Sequence, residues 1–236
     1  SMLTTPDSIT LHKTLNKLAA KHCDNIIIEA SSIGIHQNRL FPLKFNKIAF
    51  TNLSRDHLDY HKNMRQYMIA KAKIFINNSH KKTIAILNSD DKKYSYFEKL
   101  CLDQRLKVLD YGKKANFLKI LSISKKNNVH EIEINLKNRM KKVVMPSNSL
   151  FEVYNILCSL LIVFGEKITA KNFDSIKKLK SPKGRLEKVY DKNFKIFIDY
   201  AHTPDALLET LKSLKNNYGN NISLVFGCGG ERDQTK

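Results

Sequence analysis

The chain has 236 residues, 42% of them hydrophobic, and a formal net charge of +19. That length holds one large domain or one and a fraction, and the absence of a signal pattern or of any apolar run near the ~20 residues of a spanning helix argues against membrane insertion. The charge is mostly lysine, 34 of 41 basic residues, scattered without the arginine forks of base readers or the interleaved rings of single-strand binders, so a nucleic-acid-binding module stays an alternative favoured by charge alone.

Leu11 to Lys21 reads as an amphipathic helix, and Asn25-Ile26-Ile27-Ile28-Glu29 as a buried strand ending on an acid. Lys47 to Phe50 is the next strand. It runs into Thr51-Asn52-Leu53-Ser54-Arg55-Asp56-His57-Leu58-Asp59-Tyr60-His61, which sets two Asp and two His within six positions. Polar groups that dense just past a buried strand suit chemistry, because open α/β sheets bind ligands where their strands leave the core.

Met64, Tyr67, Met68, Lys71, Ile74 and Phe75 then recur at helical spacing and form one apolar stripe. Lys71 lies inside it, and two readings stand. Its stem lies along the core while the ammonium snorkels to water, or the amine is desolvated, with a lowered pKa, and reactive. The helix returns to a strand at Thr83 to Leu87. Asn88-Ser89-Asp90-Asp91 closes that strand and begins a helix toward Cys101. This alternation predicts a mainly parallel sheet with right-handed crossovers.

From Phe117 to Met145 the pattern changes to short alternating segments, which predict a small antiparallel excursion. Leu150 to Phe164 and Phe173 to Leu179 read as helices. Ser181-Pro182-Lys183-Gly184 marks a boundary, dividing residues 1–181 from 182–236. Beyond it, Phe194 to Ile198, Pro204 to Lys215 and Ile222 to Phe226 predict one βαβ unit of a Rossmann-like domain. The fold class is therefore α/β throughout. Cys23, Cys101, Cys158 and Cys228 have neither paired nor metal-type spacing, which suits a reducing cytoplasm.

The run from Thr51 to His61, with Tyr67 and Ala70-Lys71, resembles the central domain of the Mur ligases. Thr4-Thr5-Pro6-Asp7, Glu29-Ala30-Ser31-Ser32, Gln37-Asn38-Arg39, Gly184-Arg185-Leu186-Glu187, Asp199-Tyr200-Ala201-His202-Thr203-Pro204-Asp205 and Phe226-Gly227-Cys228-Gly229-Gly230-Glu231-Arg232-Asp233 agree with the family in order, from one end of the chain to the other. The resemblance implies an ATP-dependent, ADP-forming amide ligase of peptidoglycan synthesis. It adds a diamino acid, meso-diaminopimelate or lysine, to UDP-N-acetylmuramoyl-L-alanyl-D-glutamate through an acyl-phosphate. Folylpolyglutamate and cyanophycin synthases share the lysine and histidine logic but not the full run. Members carry a glycine-rich P-loop upstream of the Thr-Thr-Pro segment. No G-x-x-x-x-G-K-[ST] occurs here, so the expectation is a piece of a longer enzyme that is inactive by itself.

Residue by residue, the resemblance makes Lys71 a carbamylated lysine that helps hold Mg2+, with Glu29 and His57 as its companion ligands. Thr4, Thr5, Ser31, Gln37 and Arg39 match residues that hold the UDP-linked dipeptide. Asn155 matches an adenine contact, Arg185 an ATP-phosphate contact and Asp199 a ribose contact. His202 and the turn from Gly227 to Asp233 are expected near the inter-domain site, and His61 is expected to be structural. Two positions depart from the pattern: Ile33 where His is common, and Glu152 where Asn is common. A cytoplasmic monomer is the expected form.

Overall fold

The computed structural model describes residues 3–126, 129–147, 149–179 and 181–227. Six strands lie side by side in chain order: β1 (Lys47–Phe50), β2 (Ile84–Asn88), β3 (Lys107–Gly112), β4 (Leu118–Lys126), β5 (Val129–Leu136) and β6 (Arg139–Met145). The connection from β1 to β2 carries α3 (Leu58–His61) and α4 (Met64–Asn77), and that from β2 to β3 carries α5 (Tyr94–Asp103). Helical crossovers of this kind are what parallel neighbours require.

β3 also pairs parallel with β4, but only at Tyr111↔Leu118 and Gly112↔Lys119, across a short loop. Asp110 makes that loop possible by accepting the backbone N–H groups of Asn116 and Phe117 at 2.8 and 2.7 Å. The strands β4, β5 and β6 form the expected antiparallel excursion. On β5, His130, Ile132, Ile134 and Leu136 are buried, the period-2 pattern of a strand with one covered face.

The chain divides into two compact units. One comprises Ser1–Ile48, His57–Ala85 and Ser95–Val108, the other Ala49–Asp56, Ile86–Tyr94 and Leu109–Lys236. In the first, α1 (Ser8–Ala20) starts on Asp7, whose carboxylate accepts the Thr10 N–H. The helix α4 starts on Asn63 in the same way and buries Tyr67, Ala70, Ala72, Ile74 and Phe75. Phe75 meets Phe97 of α5 with ring centroids 5.8 Å apart. Burying side chains of this size contributes about 1.5–3 kcal/mol each.

In the second unit, α6 (Leu150–Phe164) starts with a reciprocal cap. The Ser149 hydroxyl accepts the Glu152 N–H while the Glu152 carboxylate accepts the Ser149 N–H. This accounts locally for the acid at position 152. Further on, β7 (Glu187–Asp191) and β8 (Lys195–Ile198) form a separate antiparallel hairpin, followed by α7 (Pro204–Tyr218), which is capped by Thr203.

Three elements differ from the expectation. Residues 25–30 carry no strand, and Ile26 and Ile27 are exposed. A strand exists only through a paired neighbour, and β1 is the edge of its sheet among the described residues. Residues 221–227 likewise carry no strand, so the predicted βαβ unit is a β-hairpin followed by a helix. Ala170–Lys178 winds as a 3₁₀ helix, where an α-helix was expected from Phe173. Among the described residues, no helix is long and apolar enough to cross a membrane.

Candidate functional site

In the first unit a buried threonine organises a loop around it. Thr5 has no exposed surface, and its hydroxyl donates to the Glu29 carbonyl and accepts the Ser31 N–H, each at 2.8 Å. The Thr5 hydroxyl therefore donates once and accepts once inside the protein, and the neighbouring Thr4 is exposed. Ser31 caps α2 (Ser32–His36), with its hydroxyl accepting the Gly34 N–H at 3.1 Å. Gly34 has no room for a side chain, because a Cβ there would lie 2.8 Å from the Thr5 methyl.

Gln37 ends α2 and turns back to Arg39. Its amide oxygen accepts from Arg39 Nε and Nη2 at 3.0 and 2.6 Å, while Arg39 Nη1 donates to the Thr5 carbonyl at 2.7 Å. Thr5, Ser31, Gln37 and Arg39 are thus brought together as one hydrogen-bonded set. Glu29 lies beside them in sequence, its side chain exposed.

His57 stands at the start of α3 with φ +54°, a left-handed conformation uncommon outside glycine. Backbone strain of this kind costs about 1–3 kcal/mol and concentrates at functional sites. The His57 ring meets Tyr67 edge-on, with centroids 6.1 Å apart. Lys71, one helical turn after Tyr67, places its Nζ 5.2 Å from the same ring centre. Lys71 is half-buried, so the stripe predicted for α4 places its amine at the margin of the core.

Behind them sits His61, 3% exposed, its Nε2 2.9 Å from Ser32 Oγ and its ring stacked on Tyr67. Burial pushes the His61 imidazole down to about 4, and the charges of His36, His57 and Lys71 push the same way, against Asp59. It is neutral at ordinary pH. His36 Nδ1 lies 2.9 Å from the Tyr60 hydroxyl, which completes an aromatic and imidazole cluster.

Among the described residues, no three His, Cys, Asp or Glu side chains gather closely enough to hold a metal ion. Glu29 and His57 supply two potential ligands, and a lysine amine repels a cation. A carbamate on Lys71 would exchange that positive charge for the oxygen donors that hard cations take.

In the second unit Asn155 is exposed on α6. The Arg185 guanidinium lies over the Tyr200 ring, 5.0 Å from its centre. Asp199 holds the turn that carries Arg185: its carboxylate accepts the N–H groups of Leu186 and Ala201 at 2.6 and 2.8 Å and the Thr210 hydroxyl at 3.3 Å. His202 Nε2 lies 3.6 Å from the Asp56 carboxylate. Of the turn from Gly227 to Asp233, positions 228–233 lie outside the described residues.

Sequence reasoning passed over Ser32 and Asp90. The Asp90 carboxylate accepts the Tyr154 hydroxyl at 2.7 Å and the N–H groups of Lys113 and Lys114 at 2.7 and 3.1 Å. Its acid in a turn after a strand reads as an ordinary capping residue, and nothing in the spacing marks its distant partners.

Residues 1–163 match the Mur ligase middle domain, and residues 184–236 match the Mur ligase glutamate ligase domain. The UDP-N-acetylmuramoyl-L-alanyl-D-glutamate–2,6-diaminopimelate ligase of Rickettsia montanensis is 37% identical over 99% of the chain and 49% of its own length. A solved structure of a ligase of that same name superposes with a TM-score of 0.76 at 30% identity, covering 97% of this chain and 47% of that one. The Thermotoga maritima MurF ligase in complex with ADP gives 0.60 at 20% identity over 72% and 39%, a likeness of fold. The chain spans about half the length of the curated relatives it matches, 49% for the first.

Proposed function

The chain belongs to the Mur ligase family, and from that premise we propose that the whole enzyme joins 2,6-diaminopimelate to UDP-N-acetylmuramoyl-L-alanyl-D-glutamate at the expense of ATP. The observation that carries the reading is identity of 37% along 99% of the chain to a ligase of that name. ATP phosphorylates the substrate carboxylate to an acyl-phosphate and leaves as ADP. The incoming amine then displaces phosphate to form the amide.

Both steps gather negative charge, so the residues that matter hold cations or donate hydrogen bonds. Thr4, Ser31, Gln37 and Arg39 bind and orient the UDP-linked acyl substrate, while Thr5, expected to touch it, is fully buried and instead fixes the loop with its hydroxyl. Glu29, His57 and a carbamylated Lys71 hold Mg2+. When bound, the ion draws charge from the transferring phosphoryl group. Asn155, Arg185 and Asp199 serve ATP: Arg185 offers its fork to phosphate oxygens, and Asp199 holds the Arg185 turn while facing the ribose.

The boundary falls between residues 181 and 182, with a central domain before it and the start of a C-terminal domain after it. The reading takes the enzyme as a cytoplasmic monomer and gives no role to nucleic acid or membrane insertion. Its test is ADP release by the whole enzyme with ATP, Mg2+, the UDP-linked dipeptide and 2,6-diaminopimelate. Release should require all four and fall sharply when lysine replaces diaminopimelate. Release that ignores the UDP-linked dipeptide would sink the assignment.

A further inference from the structure

Three observations converge on His61. It is almost fully buried, yet its Nε2 lies 2.9 Å from Ser32 Oγ, and Ser32 is also buried. Ser32 is the first residue of α2, a helix bracketed by Ser31 and Gln37. The imidazole also stacks on Tyr67 of α4, centroids 5.2 Å apart and planes 23° apart, and Tyr67 carries Lys71 against its ring at 5.2 Å.

A helix of five residues cannot hold itself, since nucleating one turn costs more than its few hydrogen bonds return. The position of α2 is set by side chains reaching it from elsewhere: Thr5 on Ser31, Arg39 on Gln37, Tyr60 on His36 and His61 on Ser32. The last two come from the segment that also bears His57 and Lys71, and of these the Tyr60 bond is exposed and the His61 bond is buried.

We infer that His61 is a positioning residue: its bond to Ser32 sets the acyl-substrate residues that flank α2 against the Lys71 helix. A core filler would need only ring volume. A positioning role needs the hydrogen bond as well, because the stack fixes where the imidazole lies and the bond fixes where Ser32 lies. The inference rests on the proposed acyl-substrate role of Ser31, Gln37 and Arg39.

The test is steady-state kinetics on the whole enzyme with His61→Phe, Ser32→Ala, the double variant and His61→Gln. His61→Phe keeps the stack and loses the bond. His61→Gln loses the stack but places an amide, with both a donor and an acceptor, near the position of Nε2 and restores the bond in either direction. Each single loss should raise the KM for the UDP-linked dipeptide about 3–10-fold, with the KM for ATP little changed. The double variant should be no worse than the weaker single, and His61→Gln should recover most of the loss.

Ser32→Ala keeps the test open if His61→Phe fails to fold. Wild-type KM in Ser32→Ala, or additive effects in the double variant, would overturn the inference while leaving the proposed function standing. A wild-type enzyme that does not turn over the UDP-linked dipeptide would overturn the proposed function and this inference with it.

Discussion

The Tyr154 hydroxyl donates to the Asp90 carboxylate at 2.7 Å, tying α6 to the turn that follows β2. The same carboxylate receives the Lys113 and Lys114 N–H groups, so one acid fastens two elements of the second unit. Burial and the adjacent carboxylate push the Tyr154 phenol up, so it remains a donor throughout the working range. Tyr154→Phe should cost about 1.5–3 kcal/mol, the usual worth of a hydrogen bond to a charged group. Urea unfolding would show a lower midpoint with an unchanged slope. Gly112→Ala should also destabilise, because it holds φ at +134° and a Cβ would meet Asp90 Oδ2 at 2.7 Å. A neutral Tyr154→Phe would remove Asp90 from the account.

His130 makes stability depend on pH. Burial pushes its imidazole down, and the charge of Lys125, its direct cross-strand partner, adds to this against the hydrogen bond to Ser147. In the unfolded chain the group titrates near 6.5. The folded protein thus binds fewer protons between that value and the lower folded one. The stabilisation is complete above ~6.5 and disappears as pH falls through the folded value. Chemical unfolding at several pH values should show wild type losing stability faster than His130→Asn, by as much as ~1.4 kcal/mol per pH unit. Parallel pH profiles for the two proteins would contradict this.

Much of this architecture is legible in the sequence. The stripe of Tyr67, Ile74 and Phe75 gives α4, and the alternation of Ile132 and Ile134 gives β5, because each pattern is local and buried on one face. The segments at 25–29 and 222–226 fail for the opposite reason: runs of Ile, Leu and Val state a preference for extended chain but not the neighbour it must pair with. The hairpin of β7 and β8 was half missed, since Glu187-Lys188-Val189-Tyr190-Asp191 is largely exposed and lacks an apolar face to read. At the site, the partners that each side chain takes up were not legible. Arg39 reads as a substrate ligand, yet the structure commits its guanidinium to Thr5 and Gln37.

Arg39→Ala in the whole enzyme should raise the KM for the UDP-linked dipeptide by roughly one to two decades, with little change for ATP. Arg39→Lys should recover little, because an ammonium cannot span the Thr5 carbonyl and Gln37 amide as a planar fork does. An effect confined to ATP would reverse the assignment.

The central claim is that Lys71 acts as a carbamate that binds metal, and the most direct measurement is turnover of Lys71→Ala in the whole enzyme, with and without a short carboxylic acid such as acetate. The account predicts no detectable ligation by the variant alone and partial recovery as added acetate supplies the missing oxygens. Near-normal turnover by Lys71→Ala without acetate would contradict it.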